Sequence, residues 1–160
     1  MSSRLLTALL LLGLLQNAAP SSLHGISKRS PGCPDGWNEL RFKTCMRLFT
    51  EKKTFDEAEQ HCVSLGGHLV SIHGGGEFYE VLTLAVKSYR YAIPVWTGAR
   101  YNEQEQRWKW TDGTSFSFVH QHGSLTDKKG GCVEMNRQVW GGWKIMNCDV
   151  KQFYVCAKRS

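Results

Sequence analysis

Six cysteines, at Cys33, Cys45, Cys62, Cys132, Cys148 and Cys156, are the residues with the most chemistry to offer. An even set that follows an apolar leader reads as a disulfide framework rather than a redox or zinc centre, and no two of them are spaced C-x-x-C. Six cysteines admit many pairings, and spacing alone does not choose among them. Full pairing leaves no cysteine for a bridge between chains. His120 and His122 could offer two ring nitrogens to a metal, but no third ligand stands near them, so they read as loop histidines in water. Gly74-Gly75-Gly76 lacks the Gly-Lys-Ser/Thr that a phosphate cradle needs, and reads as a flexible entry to a helix. Neither H-E-x-x-H nor G-x-S-x-G occurs, so no enzyme is expected. Asn38, Asn102, Asn136 and Asn147 lack Ser or Thr two residues on, and N-glycosylation is not expected there.

These groups sit in a chain of 160 residues, about one domain's worth, with 41% hydrophobic and 21% charged residues. Its formal charge of +6 is uneven: Arg4, Lys28 and Arg29 precede Ser30, all 14 carboxylates follow it, and the remainder carries only +3. That is too sparse for the basic stripe of a nucleic-acid binder. Arg4, the apolar run Leu5–Leu15 and the small residues Ala18, Ala19, Ser21 and Ser22 form the pattern of a secretory signal peptide, expected over residues 1–21. The run is shorter than the roughly 20 apolar residues that span a bilayer, and no later stretch is longer, so no transmembrane segment is expected. Lys28-Arg29 reads as a dibasic cleavage site, which makes residues 22–29 a propeptide and residues 30–160 the mature domain.

The elements that must position these groups follow from periodicity. Thr54 and Glu57 form a capping box, Phe55, Ala58, Cys62 and Leu65 recur on one face, and Gly66-Gly67 stops the turn, predicting a helix over Thr54–Leu65. Phe78, Val81, Leu82, Ala85 and Val86 predict a second helix from Glu77 to Tyr89. Strands are expected at Thr44–Phe49, His68–Ser71, Val95–Gly98, Arg107–Trp110, Cys132–Met135, Trp143–Met146 and Phe153–Ala157. Between Thr111 and Gly131 the Gly-, Ser-, Thr- and Lys-rich composition predicts a long irregular loop, a common place for function.

Several of these segments together resemble the C-type lectin-like domain family. Cys33-Pro34-Asp35-Gly36-Trp37 is similar to its opening C-P-x-G-W. Gly66-Gly67-His68-Leu69-Val70-Ser71-Ile72 is similar to G-G-x-L-x-S-I, and Trp96-Thr97-Gly98 to W-I-G. Trp108-Lys109-Trp110-Thr111-Asp112-Gly113-Thr114 resembles W-x-W-x-D-G-T, and Cys132-Val133-Glu134-Met135 and Cys148 to Cys156 complete the order. The resemblance covers Cys33 to Cys156 and is nearest in look to the secreted fish lectins, with venom lectins and type II antifreeze proteins in the same group. It implies an α+β fold with two helices packed on short antiparallel sheets, a long irregular loop and three disulfides, Cys33–Cys45, Cys62–Cys156 and Cys132–Cys148. It also implies that Trp96, Trp108 and Trp110 are mostly core.

Sugar-binding members of that family hold calcium with hard oxygen ligands, and this sequence departs from them where those ligands would stand. The loop triplet falls on Ser124-Leu125-Thr126, the acid two before the cysteine on Gly130, and W-N-D on Trp143-Lys144-Ile145. The triplet's proline is absent, and Asp127 and Glu134, the nearest acids, are too few for a calcium cage. No cofactor or metal is therefore expected. The expected function is calcium-independent recognition of a glycan or glycoprotein surface. Its face would be His120, His122, Lys128, Lys129, Trp140, Trp143 and Lys144, where aromatic rings stack on sugar and lysines meet acidic groups. An ice-binding protein and a venom-type subunit that inserts its loop into a partner are the alternatives on the same scaffold.

Overall fold

The computed structural model describes residues 32–40, 43–87, 93–120, 125–126, 131–136 and 141–160. The expected signal peptide and propeptide lie outside the described residues. Ten elements follow in order: β1 (Asn38–Leu40), β2 (Thr44–Lys53), α1 (Phe55–Ser64), β3 (His68–Leu69), α2 (Gly75–Lys87), β4 (Val95–Asn102), β5 (Arg107–Trp110), β6 (Gly131–Met135), β7 (Trp143–Asn147) and β8 (Gln152–Arg159). No helix among the described residues is long and apolar enough to cross a membrane.

Thr54 caps α1 as its sequence requires. Its backbone N–H donates to Glu57 Oε2 at 2.9 Å, and the Glu57 N–H donates to Thr54 Oγ1 at 3.3 Å. The backbone hydrogen bond from Thr54 holds the Glu57 carboxyl below its ordinary range. The helix ends on Gly66 at φ 80°, with Gly67 N–H returning to Cys62 O at 3.0 Å. A side chain at Gly67 would run into Ala157 O, so this turn packs directly on β8. Helix α2 begins two residues earlier than its apolar stripe suggests, because Gly75 and Gly76 enter the first turn.

The strands form one connected sheet, in the order β1-β2-β8-β4-β6-β7, with β3 added on β8 and β5 on β4. The expectation of short antiparallel sheets is refined here, since β4 and β8 run parallel through Val95↔Phe153 and Trp96↔Tyr154. That pairing joins strands far apart in sequence, which no local pattern announces. Strands β2, β4 and β8 also run past their expected ends, whereas β3 stops at Leu69.

Alternation along the strands sends neighbouring residues to opposite faces and so builds two cores. Val70, Val95, Val133 and Val155 join Phe78, Val81 and Ala85 of α2 in one cluster. Leu69, Trp96, Cys132, Tyr154 and Cys156 join Phe55, Ala58 and Cys62 of α1 in the other. Three disulfides hold this arrangement: Cys33–Cys45, Cys62–Cys156 and Cys132–Cys148. The first ties down the β1–β2 hairpin, the second joins α1 to β8, and the third anchors β6 to the residue just past β7. Trp96 and Trp110 are 0% and 2% exposed, and Trp108 is half-buried, so the motif tryptophans are chiefly core.

Candidate ligand face

The long loop leaves β5 through a tight polar turn. Gly113 adopts φ 79°, and Asp112 collects the Ser71 Oγ–H at 2.6 Å, the Thr114 Oγ1–H at 2.6 Å and the Thr114 N–H at 2.9 Å. Burial pushes the Asp112 carboxyl up, but these three donors and the nearby His73 outweigh it and hold the group below its ordinary range. The chain then runs extended with a period of two: Phe116 and Phe118 turn inward, Ser117 and Val119 outward. His120 ends this stretch stacked on Phe78 of α2, ring centroids 3.9 Å apart and planes at 5°. Phe78 is also covered by Gly141, where a Cβ would collide with its ring.

Strands β6 and β7 form the floor, in the register Gly131↔Asn147, Val133↔Ile145 and Met135↔Trp143. Asn136, at φ 78°, closes their connection. Its Oδ1 accepts from Gly141 N–H and its own N–H donates to Gly142 O, both at 2.8 Å. Left-handed backbone is tolerated by asparagine and free for glycine, which accounts for both residue types at this corner.

The structure divides the residues expected to share a ligand face. Trp143 is 3% exposed, and its ring is walled by Trp110, Phe116 and Phe118 at centroid distances of 6.0, 6.3 and 6.1 Å. It is core, and a ring enclosed on these sides cannot serve as a stacking platform. That corrects its assignment to the ligand face. Lys144, one residue on, points to the other side of the strand and is exposed opposite Glu134. Glu134 is fully buried and accepts from Gln152 Nε2 at 2.7 Å. His120 is half-buried above α2. His122, Lys128, Lys129 and Trp140 lie outside the described residues, as do Ser124, Asp127 and Gly130.

At the positions where the resemblance places cation ligands, the described side chains do not fit calcium. Ile145 lays its Cγ2 over Gly131, leaving no room there for a Cβ. Leu125 packs on the core and Lys144 brings a positive charge. Calcium asks for six to eight oxygens, roughly, and these groups supply hydrocarbon and an ammonium instead. Among the described residues no group of three or more His, Cys, Asp or Glu is placed to hold a metal.

Three signals escaped the sequence reading. The alternation Phe116-Ser117-Phe118-Val119-His120 was present but lay inside a stretch whose composition reads as loop. The pairing of Ser71 with Asp112 spans 41 residues. The covering of Phe78 by Gly141 depends on a close approach that no spacing encodes.

Comparison with known proteins agrees with this architecture. The family model of the lectin C-type domain matches residues 51–158. The chain is similar to C-type lectin 9a of Crotalus adamanteus, 33% identical over 131 residues, covering 78% of this chain and 80% of that one. It is similar along nearly its whole length to regenerating islet-derived protein 4 of Mus musculus, 29% identical over 159 residues and covering 98% of each. Among solved structures, a calcium-independent type II antifreeze protein superposes with a TM-score of 0.67 at 30% identity, covering 79% of this chain and 94% of that one. With its three disulfides, two helices and motif tryptophans in place, this chain belongs to the C-type lectin domain family.

Proposed function

We propose that the protein is a secreted recognition module that binds a glycan or glycoprotein surface without calcium. One observation carries this reading: Ile145 fills the floor beside Gly131 with hydrocarbon where a cation's carboxylate ligand would stand. The proposed binding face is the long loop with its neighbouring strand, comprising His120, His122, Lys128, Lys129, Trp140 and Lys144. Lysines there suit sialylated or sulfated sugars, and Trp140 suits the apolar face of a hexose. The reading of the leader supports export, with cleavage after Arg29 releasing a chain that starts at Ser30. Nothing in this reading calls for catalysis.

The test is a glycan array probed with the mature protein in EDTA. Retained binding to a defined glycan class is the expected result, and loss of all signal on chelation would sink the calcium-free reading. Ice binding is the second reading, favoured by the likeness to the calcium-independent type II antifreeze protein. Thermal hysteresis of the purified protein separates the two, since Lys144, Lys128 and Lys129 are charges that a flat ice-matching surface would avoid.

A further inference from the structure

A groove of about 580 Å3 runs between the turn after α1, the end of β8 and the turn after β5, with Ser71, His73, Glu77, Asp112, Thr114 and Arg159 on its walls. None of these is among the residues assigned to the long-loop face. Thr114 has one hydroxyl proton, and it goes to Asp112 Oδ1 at 2.6 Å. The 3.1 Å contact between Thr114 Oγ1 and His73 Nε2 must then be donated by the imidazole. Neutral His73 therefore carries its lone pair on Nδ1, which meets no partner among the described residues. Ser71 gives its proton to Asp112 and keeps its lone pairs. Asp112 has accepted three donors, which leaves about one of its roughly four lone-pair positions open. Glu77 accepts the backbone N–H of His73 through Oε2 at 2.6 Å, and its Oε1 has no partner among the described residues. Against these acceptors stands Arg159, exposed, with its fork of N–H donors and no acidic partner among the described residues.

The charge of the groove is balanced, Asp112 and Glu77 against Lys158 and Arg159. An anion would meet two carboxylates and a cation two bases. The acids and histidines here do not gather into a metal-holding set. A neutral ligand dense in hydroxyls, each able both to donate and to accept, matches open acceptors set beside a guanidinium. The volume lies within the range of small-ligand pockets. We infer that this groove is a calcium-free subsite for a neutral hexose, separate from the long-loop face, with Arg159 donating to ring hydroxyls and Asp112, Ser71 and His73 Nδ1 accepting from them. The inference rests on the glycan-binding reading above and adds the site and the charge class of the sugar.

Amide spectra of the isotope-labelled mature protein, titrated in EDTA with the methyl glycosides of glucose, galactose, mannose and N-acetylglucosamine, test it. The expected result is that at least one glycoside moves the signals of Ser71, His73, Thr114 and Arg159. Arg159→Ala should weaken that binding about tenfold, as the loss of one charged hydrogen bond does, with an unchanged spectrum elsewhere. Glu77→Gln, which keeps an acceptor for the His73 N–H, guards against a folding artefact and should leave the fold intact while weakening binding. Movement confined to the long loop and Lys144 would overturn the groove and leave the glycan reading standing. No movement with any glycoside, on a protein that also binds nothing on the array, would overturn both.

Discussion

Ile145 and Asp112 show how single side chains set what this domain can and cannot bind. Ile145 packs its hydrocarbon on Gly131 and stands where the resemblance places a carboxylate that a cation would need. The expected outcome is a melting temperature that does not change between millimolar calcium and EDTA. A cation bound only by the native state would add about 2.7 kcal/mol at a hundredfold excess over its Kd, which calorimetry would register. Asp112 acts through its protonation. Its folded pKa is depressed below the ordinary 3.8, so its stabilising contribution is complete above that value and is lost as the pH falls through the folded one. Asp112→Asn should therefore lower stability at neutral pH and flatten the acid limb of the melting curve. An acid limb identical to the parent's would show that the Ser71–Asp112–Thr114 contacts hold nothing together.

At the scale of elements, the floor of the ligand face depends on Phe78, the ring between His120 and Gly141. Phe78→Ala should cost about 3–5 kcal/mol, the range for a buried phenylalanine, and speed amide exchange over Phe116–His120. Gly141→Ala should do comparable damage by a different route, since φ 75° disfavours any side chain and a Cβ meets the ring of Phe78. Urea unfolding with exchange measurements checks both variants, and a Gly141→Ala protein as stable as the parent would refute the close packing. Both helices were legible in the sequence because their signals are local: a capping box, an apolar stripe, a glycine stop. The disulfide pairs followed from the resemblance, not from spacing. Trp143 was not legible, because a tryptophan that follows a glycine pair and opens a short strand has the same pattern whether it walls a core or offers a platform. Its burial is decided by Phe116 and Phe118, which return from a stretch whose composition reads as loop. The groove was equally hidden, since Ser71, Asp112 and Arg159 come together only when β3, β5 and β8 are assembled.

At the scale of the molecule, the sheet fixes the distance between the two proposed sugar sites. Strands β2 and β8 lie side by side, from Thr44↔Arg159 to Phe49↔Tyr154. Cys62–Cys156 closes a loop with a sequence separation of 94, worth about 4.7 kcal/mol by chain entropy. That stabilises the folded scaffold by constraining the unfolded chain. Lys144 lies on β7 and Arg159 on β8, three places apart across the sheet through β6 and β4. At the usual strand spacing that is at least about 14 Å. One sugar ring cannot span this distance, whereas a branched or polymeric glycan can. Its second contact then becomes intramolecular, at an effective concentration in the millimolar range, and tightens binding by about a hundredfold or more. The expected outcome is that a polysaccharide or branched oligosaccharide binds at least a hundredfold more tightly than the methyl glycoside of its terminal sugar. Arg159→Ala, which weakens the groove about tenfold, should cut that advantage by a similar factor, and Lys144→Glu should reduce it from the other end. Calorimetry of the three proteins with both ligands measures this directly. Equal affinity for the small and large ligands, or an advantage that survives both substitutions, would show that only one of the two faces takes part.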